Sequence, residues 1–279
     1  MAKSIIIAVD AKQRTLDALA LGHLLSDATG APAVLISVFA YHPLGDPGSP
    51  ELEDVRDEAR QTLLELAQAE GIAPAEARVV AGNFAARELQ HATEQPDAGI
   101  IVVGSTTRGA VGRLLPGGVG ERLLAGAACP VAIAPRDYAD RRPERLSRIG
   151  VGIDDDDEAR EALDAAVTLA AGAGARLQVI TAVARRPLGA AGAAALRAAH
   201  GDAVGEARAR VEVEDRLVDG PADDVLAAHS ADLDLLVVGS RGYGPVGAVL
   251  LGGTSGQLAH TARCPLLVMP RGTRLHLGT

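Results

Sequence analysis

Aromatic residues are nearly missing from this sequence of 279 residues, which contains no Trp, two Phe and three Tyr. So few rings cannot form the stacking surfaces on which single-stranded nucleic acids bind. The formal net charge is -9, and an acidic surface repels a phosphate backbone unless a local basic stripe overrides it. The sequence shows no such stripe, so we predict no binding to nucleic acid.

Lysine and cysteine are also scarce. The only lysines are Lys3 and Lys12, so the rest of the chain has no amine for a Schiff base or for a lysine-containing phosphate loop. Cys129 and Cys264 each precede a proline at the edge of an apolar run, which predicts buried free thiols. The histidines show no metal-ligand spacing, and we predict no metal site.

Long apolar segments are absent as well. No run approaches the roughly 18 apolar residues that span a bilayer, and the apolar stretch at residues 5–9 is too short for a signal peptide. A hydrophobic share of 48% nevertheless predicts a globular chain. We expect a cytoplasmic protein that does not associate with membranes.

The chain does contain an internal duplication. Gly99–Arg136 aligns without a gap on Asp234–Arg271, and the segment Ile5–Asp10 matches Ile149–Asp154. A repeat of this length indicates two whole domains, because solenoid units are far shorter. We place the domains at residues 1–140 and 146–279.

Within each domain, short apolar runs alternate with segments whose apolar residues recur at helical spacing. Strands that are apolar on both faces and separated by helices indicate a parallel sheet covered on both sides. We therefore predict an α/β, Rossmann-like fold: two tandem copies of a five-stranded parallel-sheet domain with helices on both faces. The predicted strands of the first domain are Ser4–Asp10, Val34–Ala40, Ala77–Ala81, Gly99–Gly104 and Pro130–Ala134. Those of the second are Arg148–Asp154, Arg176–Val183, Val211–Asp219, Leu235–Gly239 and Pro265–Pro270, with a helix at Gly192–Gly205.

Open parallel sheets bind ligands beyond the carboxyl ends of their strands, where the strand order reverses. In the second domain these positions are Asp154, Ala182, Val183 and the glycine-rich loop from Gly239 to Ser255. Glycines let backbone N–H groups approach phosphate oxygens, and the N-terminus of a following helix adds donors and positive potential. The pattern predicts a polyphosphate bound by backbone without a lysine. The alternative is that the glycines only form a tight surface loop.

Two formal motif matches in this loop are coincidental. Gly242–Gly247 fits G-x-G-x-x-G, but it follows the fourth strand and no acidic residue lies about 20 positions on. Gly253–Gly256 misses the nucleophile-elbow spacing by one residue, so a hydrolase triad has no anchor and we predict no catalytic residue. The acidic run at Asp154–Asp157 could hold a cation that bridges to phosphate, but Asp155–Asp157 are better explained as the start of a helix.

These residues resemble the universal stress protein family, whose nucleotide-binding members carry Gly, two residues, Gly, nine residues, Gly, and then Ser or Thr. Gly239, Gly242 and Gly252 meet this spacing, Asp154 matches the family's acidic residue, and Cys264–Val268 is similar to its final strand. The resemblance implies a fold of the adenine nucleotide alpha-hydrolase type that holds ATP, alone or with Mg²⁺, at the carboxyl edge of the sheet. The nucleotide-binding residues that it implies are Asp154, Ala182, Val183, Gly239, Arg241, Gly242, Gly252, Gly253, Thr254 and Ser255.

Departures from the family pattern distinguish the two domains. In the second domain Gly253 stands where the family has Ser or Thr, although Thr254 and Ser255 follow directly. In the first domain Thr107 replaces the second motif glycine, and Pro116 removes an N–H. We predict a strong site in the second domain and a weak or empty one in the first. The residues of that weaker site are Asp10, Val38, Gly104, Gly117 and Gly118.

The resemblance implies an ATP-binding regulatory protein of the stress response that hydrolyses ATP slowly or not at all and acts on an unknown protein partner. A nucleotide-free interaction module is the alternative, and an adenylate-cleaving enzyme is a third class, whose signature motifs are missing. The duplication predicts a pseudo-dimer packed through Val131–Ala134 and Leu266–Met269, and whole chains can pair again as a homodimer. We expect Leu188–Gly205 to cap the second-domain cleft, as Tyr41–Ser49 would cap the first.

Overall fold

The computed structural model describes residues 3–10, 13–39, 50–105, 114, 118–183, 189–240, 253–273 and 275. The first domain consists of β1 (Ser4–Val9), α1 (Gln13–Thr29), β2 (Ala33–Phe39), α2 (Pro50–Ala69), β3 (Glu76–Ala81), α3 (Ala85–Thr93), β4 (Ala98–Gly104), α4 (Gly118–Gly126) and β5 (Val131–Ala134). The second consists of β6 (Arg148–Gly152), α5 (Asp157–Ala173), β7 (Arg176–Val183), α6 (Gly189–Arg208), β8 (Val213–Asp219), α7 (Ala222–His229), a 3₁₀ turn (Ser230–Asp232), β9 (Leu235–Gly239), α8 (Gly253–Thr261) and β10 (Leu266–Met269).

All ten predicted strands are present, and the differences lie at their ends. Strand β8 starts at Val213 because the N–H of Val211 donates to the carbonyl of Ala207 (3.0 Å) and closes the turn after α6. Strand β10 excludes Pro265 and Pro270, since proline has no N–H for a sheet ladder. Helix α6 confirms the helix predicted in this part of the chain and extends it at both ends.

The two half-sheets join into one ten-stranded sheet with the order β3-β2-β1-β4-β5-β10-β9-β6-β7-β8. Neighbouring strands are parallel within each domain. Strands β5 and β10 pair antiparallel, with Leu266 opposite Ile133 and Val268 opposite Val131. The final strands of the domains therefore meet as the duplication predicted, and each covers the edge that the other would expose.

Helices cover both faces of the sheet. One continuous apolar core holds α1, α2, α5 and α6 against one face, and a second core holds α3, α4, α7 and α8 against the other. Helices α1 and α5 also pack on each other across the domain junction. Ala28 and Gly172, the penultimate residues of the two helices, lie so close that a Cβ on Gly172 would overlap the carbonyl oxygen of Ala28.

The segment between the domains is tied to α1 by a buried carboxylate. Asp17 is 1% exposed, and its two oxygens accept hydrogen bonds from the backbone N–H groups of Asp137 and Ala139 (both 3.0 Å). Burial raises the pKa of the Asp17 carboxyl, while the N–H donors act in the opposite direction. Helix α1 thus fixes the position at which the chain leaves β5.

The two cysteines are buried free thiols, as predicted. Burial raises the pKa of the Cys129 thiol to about 12 and raises that of Cys264 still further. Among the described helices, none combines the length and the apolar character that are needed to cross a membrane.

Candidate functional site

One cleft of the second domain, about 210 Å³ in volume, opens where β6, β7 and β9 end and α5 and α8 begin. It lies at the carboxyl edge of the half-sheet, the position expected for a ligand in a parallel α/β fold. Its described walls are formed by Gly152, Ile153, Asp154, Asp155, Asp156, Glu158, Ala159, Ile180, Ala182, Gly192, Leu196, Ala222, Leu226, Val238, Gly239, Thr254 and Ser255.

One end of this cleft is acidic because the chain turns directly from β6 into α5. Asp154 lies just beyond β6, and its Oδ1 accepts the backbone N–H of Asp156 (3.2 Å). Asp156 is the N-cap of α5, since its Oδ1 accepts the N–H of Ala159 (2.8 Å). The acidic run is therefore a capped helix start, as expected for Asp156, and the capping bond holds Asp154 at the strand end.

The first turn of α8 supplies another polar part of the wall. Thr254 and Ser255 both line the cleft, and Ser255 is only 2% exposed. The first N–H groups of a helix have no partner within the helix and carry a positive partial charge. Two hydroxyls and the helix N-terminus therefore offer several hydrogen-bond donors to an anion at this end.

Gly239, the last residue of β9, has to be small. A Cβ at this position would lie 3.0 Å from both the Cβ and the carbonyl oxygen of Glu158 in α5. Glu158 also lines the cleft, and its Oε1 pairs with the Arg271 Nε at 3.1 Å. The glycine thus permits β9 and the first turn of α5 to meet at the cleft floor.

The predicted site residues are partly brought together in this cleft. Asp154, Ala182, Gly239, Thr254 and Ser255 line it, whereas Val183 and Gly253 do not. Val183 ends β7, where its carbonyl accepts the N–H of Gly220 (3.2 Å), and Gly253 is the exposed first residue of α8. The predicted residues that lie outside the described part of the chain are Arg241, Gly242 and Gly252.

Sequence reasoning missed part of the wall. Ile180 precedes the predicted Ala182 by two residues on β7, so the alternation of side chains along a strand could have found it. Val238 directly precedes the predicted Gly239 on β9, and this alternation does not indicate it. Leu226 of α7 and Glu158 of α5 come from helices, and no local pattern marks them. The cap expected at Leu188–Gly205 corresponds to α6, which adds Gly192 and Leu196 to the wall.

The first domain has a cleft at the equivalent place, about 290 Å³ in volume. The predicted residues Asp10, Val38 and Gly104 line it. Gly118 begins α4 without lining the cleft, and Gly117 lies outside the described residues, as do Thr107, Pro116 and the cap expected at Tyr41–Ser49. The described lining consists of Ala8, Val9, Asp10, Ile36, Val38, Ala85, Leu89, Val103, Gly104, Val119 and Gly120.

The two clefts correspond position by position but differ in polarity. The second and third residues of α8 are Thr254 and Ser255, whereas those of α4 are Val119 and Gly120. Asp10 is the only charged residue among the described lining of the first cleft. The hydroxyl donors are therefore confined to the second cleft, in the described part of both.

The architecture is that of a duplicated α/β protein with a cleft at the carboxyl edge of each half-sheet. The model of the universal stress protein family matches residues 1–135 and 146–270. The chain belongs to this family.

Individual universal stress proteins are similar to this chain. One from Mycobacterium tuberculosis is 30% identical over 182 residues, which cover 62% of this chain and 62% of that protein. One from Mycobacterium bovis is 29% identical over 198 residues, covering 65% of this chain and 68% of that protein. The match to the first of these relatives thus spans less than two thirds of its length.

Solved structures share the complete tandem fold. A universal stress protein from Archaeoglobus fulgidus superposes with a TM-score of 0.72 at 23% identity, covering 98% of this chain and 100% of that one. A protein from Pseudomonas aeruginosa, described as a universal stress protein, gives a TM-score of 0.69 at 20% identity, with 96% and 93% covered. At these identities the likeness establishes the fold alone.

Proposed function

We propose that this chain binds an adenine nucleotide, ATP, in the second-domain cleft and acts as a nucleotide-dependent regulatory protein. The observation that carries the proposal is that one cleft is lined both by the Asp154 carboxylate and by the hydroxyls of Thr254 and Ser255 on α8. A carboxylate accepts hydrogen bonds from ribose hydroxyls, whereas a helix N-terminus with hydroxyl side chains suits phosphate oxygens.

The middle of the cleft suits a flat base. Ile180, Leu226 and Val238 are buried apolar residues between the two polar ends, and Leu196 of α6 faces the same space. Ligand sites are usually mostly apolar, with a few polar groups that set the orientation. We expect adenine to lie against these side chains beside Ala182, with its ribose at Asp154 and its phosphates at α8.

The carboxylates of the cleft support binding more than catalysis. Asp156 accepts the N–H of Ala159, and Glu158 pairs with Arg271, so both are engaged by the chain itself. No group of three or more His, Cys, Asp or Glu suited to a metal ion occurs within the described residues. A Mg²⁺ ion that accompanies ATP would then be held mainly by the phosphates and water, and we expect hydrolysis to be slow or absent.

A buried hydroxyl beside the cleft also supports a ligand with hydrogen-bonding groups. Ser240 follows Gly239 and is 2% exposed, and its Oγ has no hydrogen-bond partner in the described structure. A buried polar group without a partner costs about 1–3 kcal/mol. The residue precedes the loop in which the family motif places phosphate contacts, where a ligand oxygen could serve as partner.

A nucleotide-free interaction module is the second candidate. The observation in its favour is Gly253, which supplies no side chain at the first position of α8, where the family pattern has a hydroxyl. In that case the cleft would be structural, and the chain would act through its surface on a protein partner.

Nucleotide content and ATP titration of the full chain distinguish the two candidates. The purified protein is denatured, its supernatant is analysed by anion exchange, and ATP binding is measured by calorimetry. We expect Thr254→Val to weaken ATP binding about tenfold, because a hydrogen bond to a charged group contributes roughly 1.5 kcal/mol. Thr261→Val is the matched control, since Thr261 lies at the far end of α8 and bonds to the carbonyl of Gln257.

The result expected from the proposal is one ATP per wild-type chain, with the ATP affinity lowered in Thr254→Val and unchanged in Thr261→Val. If the wild-type protein carries no nucleotide and binds none at millimolar ATP, the proposal is wrong and the interaction module takes its place.

A further inference from the structure

We infer that the first-domain cleft is a binding site for a small, uncharged and mainly apolar molecule, rather than a second nucleotide site. The cleft has about 290 Å³ of space. It lies at the carboxyl edge of its own half-sheet, the position equivalent to the proposed ATP site, but the two clefts differ in every side chain that offers a hydroxyl to a ligand. This inference goes beyond the nucleotide site and is tested independently of it.

Most side chains that line the first cleft are aliphatic, and Asp10 is the charged exception among the described residues. Val38 and Val103 are the penultimate residues of β2 and β4, Leu89 belongs to α3, and Val119 lies in the first turn of α4. Four different elements therefore direct aliphatic side chains into one space. A molecule that fills it removes apolar surface from water, which is the main source of affinity in such pockets.

The polar groups that line the first cleft disfavour an anionic ligand. Asp10 is the single charged residue among its described lining, and Oδ1 of that carboxylate accepts a hydrogen bond from Thr15 Oγ1 (3.1 Å). This carboxylate donates no hydrogen bond to an anion, and no described side chain of the lining carries a hydroxyl. The carboxylate can still accept one hydrogen bond from a neutral ligand, which would fix the orientation.

The first turn of α4 also favours an apolar ligand over an anionic one. Val119 places methyl groups, and Gly120 places no side chain, where the second domain has Thr254 and Ser255. A phosphate set against these methyl groups would lose water without gaining a hydroxyl partner there. An apolar ligand gives up no hydrogen bonds to water at the same position.

Fluorescence titration of the full chain with 1-aminoanthracene tests the inference, because this neutral amine brightens when it leaves water. We expect saturable binding to the wild-type protein that excess ATP does not displace. Val38→Phe fills the cavity and should weaken binding at least about tenfold. Ala182→Phe is the matched control at the equivalent penultimate position of β7, and it should leave the probe affinity unchanged.

A milder variant keeps the test informative if Val38→Phe fails to fold, which thermal unfolding of each variant reveals. Val119→Thr preserves volume and adds one hydroxyl, and we expect it to weaken probe binding roughly threefold. Absence of saturable binding to wild type would overturn the inference, as would displacement by ATP or equal losses in Val38→Phe and Ala182→Phe. None of these results bears on the ATP site, which is measured separately through Thr254→Val.

Discussion

The two clefts of this chain have the same strands and helices around them, yet they present different chemistry to a ligand. The second cleft is lined by Asp154 and by two hydroxyls on α8, and the first by Asp10 together with Val119 and Gly120 on α4. A parallel sheet and its cores depend on apolar residues that are buried away from the carboxyl edge. The side chains at that edge can therefore change without loss of the fold, and after duplication the two sites were free to diverge.

The largest effect is expected from Val119→Thr, which would make the first cleft more similar to the second in its affinity for ATP. Placing a hydroxyl on the first turn of α4 should raise the ATP affinity of the first cleft about tenfold. Calorimetry in the Thr254→Val background isolates this signal, because the second cleft is weakened there. The control is Val55→Thr on α2, where the side chain is 49% exposed and does not line the cleft. An unchanged first-cleft affinity would mean that the hydroxyls do not set the difference between the domains.

A smaller effect is expected from Gly253→Ser, which restores the hydroxyl of the family pattern to the second cleft. A Cβ at Gly253 has no neighbour within 4 Å, so serine fits without repacking. We expect ATP affinity to rise roughly threefold and the free energy of unfolding to rise by about 0.5 kcal/mol through a better helix start. Gly201→Ser in α6, also in open space, serves as control and should leave ATP affinity unaltered. A loss of ATP affinity in Gly253→Ser would show that the first position of α8 must lack a side chain.

The smallest expected effect is a pH dependence confined to the second domain. His200 of α6 is 8% exposed, and its Nδ1 lies 3.0 Å from the Thr181 hydroxyl on β7, next to the cleft-lining Ala182. Burial lowers the pKa of His200, opposed by Asp215 and assisted by Arg208. Helix α2, the counterpart of α6, contains no histidine.

A lowered pKa in the folded state means that the unfolded chain takes up this proton first. The stability contributed by neutral His200 is therefore complete above the ordinary histidine pKa of about 6.5 and declines as the pH falls below it. Chemical unfolding should show that the free energy of unfolding falls between pH 7.5 and pH 5.5. His200→Gln should reduce this fall, and His229→Gln should not. An identical pH profile for wild type and His200→Gln would contradict this assignment.

Much of the fold was predictable from sequence because it is encoded locally. The continuous apolar run at Ala98–Gly104 and its repeat at Leu235–Gly239 predict buried parallel strands, and both are present. The end of a strand is equally local, so Asp10, Asp154 and Gly239 could be placed at a cleft from their position after apolar runs. The hydroxyls of α8 followed from the family spacing.

The residues that escaped prediction are those that reach the cleft from elsewhere in the chain. Glu158 and Leu226 lie on helices whose periodicity shows which face is apolar but not what that face meets. The contact of Thr181 with His200 joins a strand to a helix through the tertiary fold. Such pairs depend on where helices cross the sheet, and local pattern carries no information on this.

The sequence by itself determined the duplication, the order of strands and helices, and the residue types at each carboxyl edge, because apolar periodicity and repeat spacing are properties of neighbouring residues. Only the tertiary structure decided how β5 and β10 pair, how Gly172 admits the backbone of Ala28, and which helix residues complete each cleft. Those features arise from packing between distant segments, where the available space rather than the local pattern selects the contact.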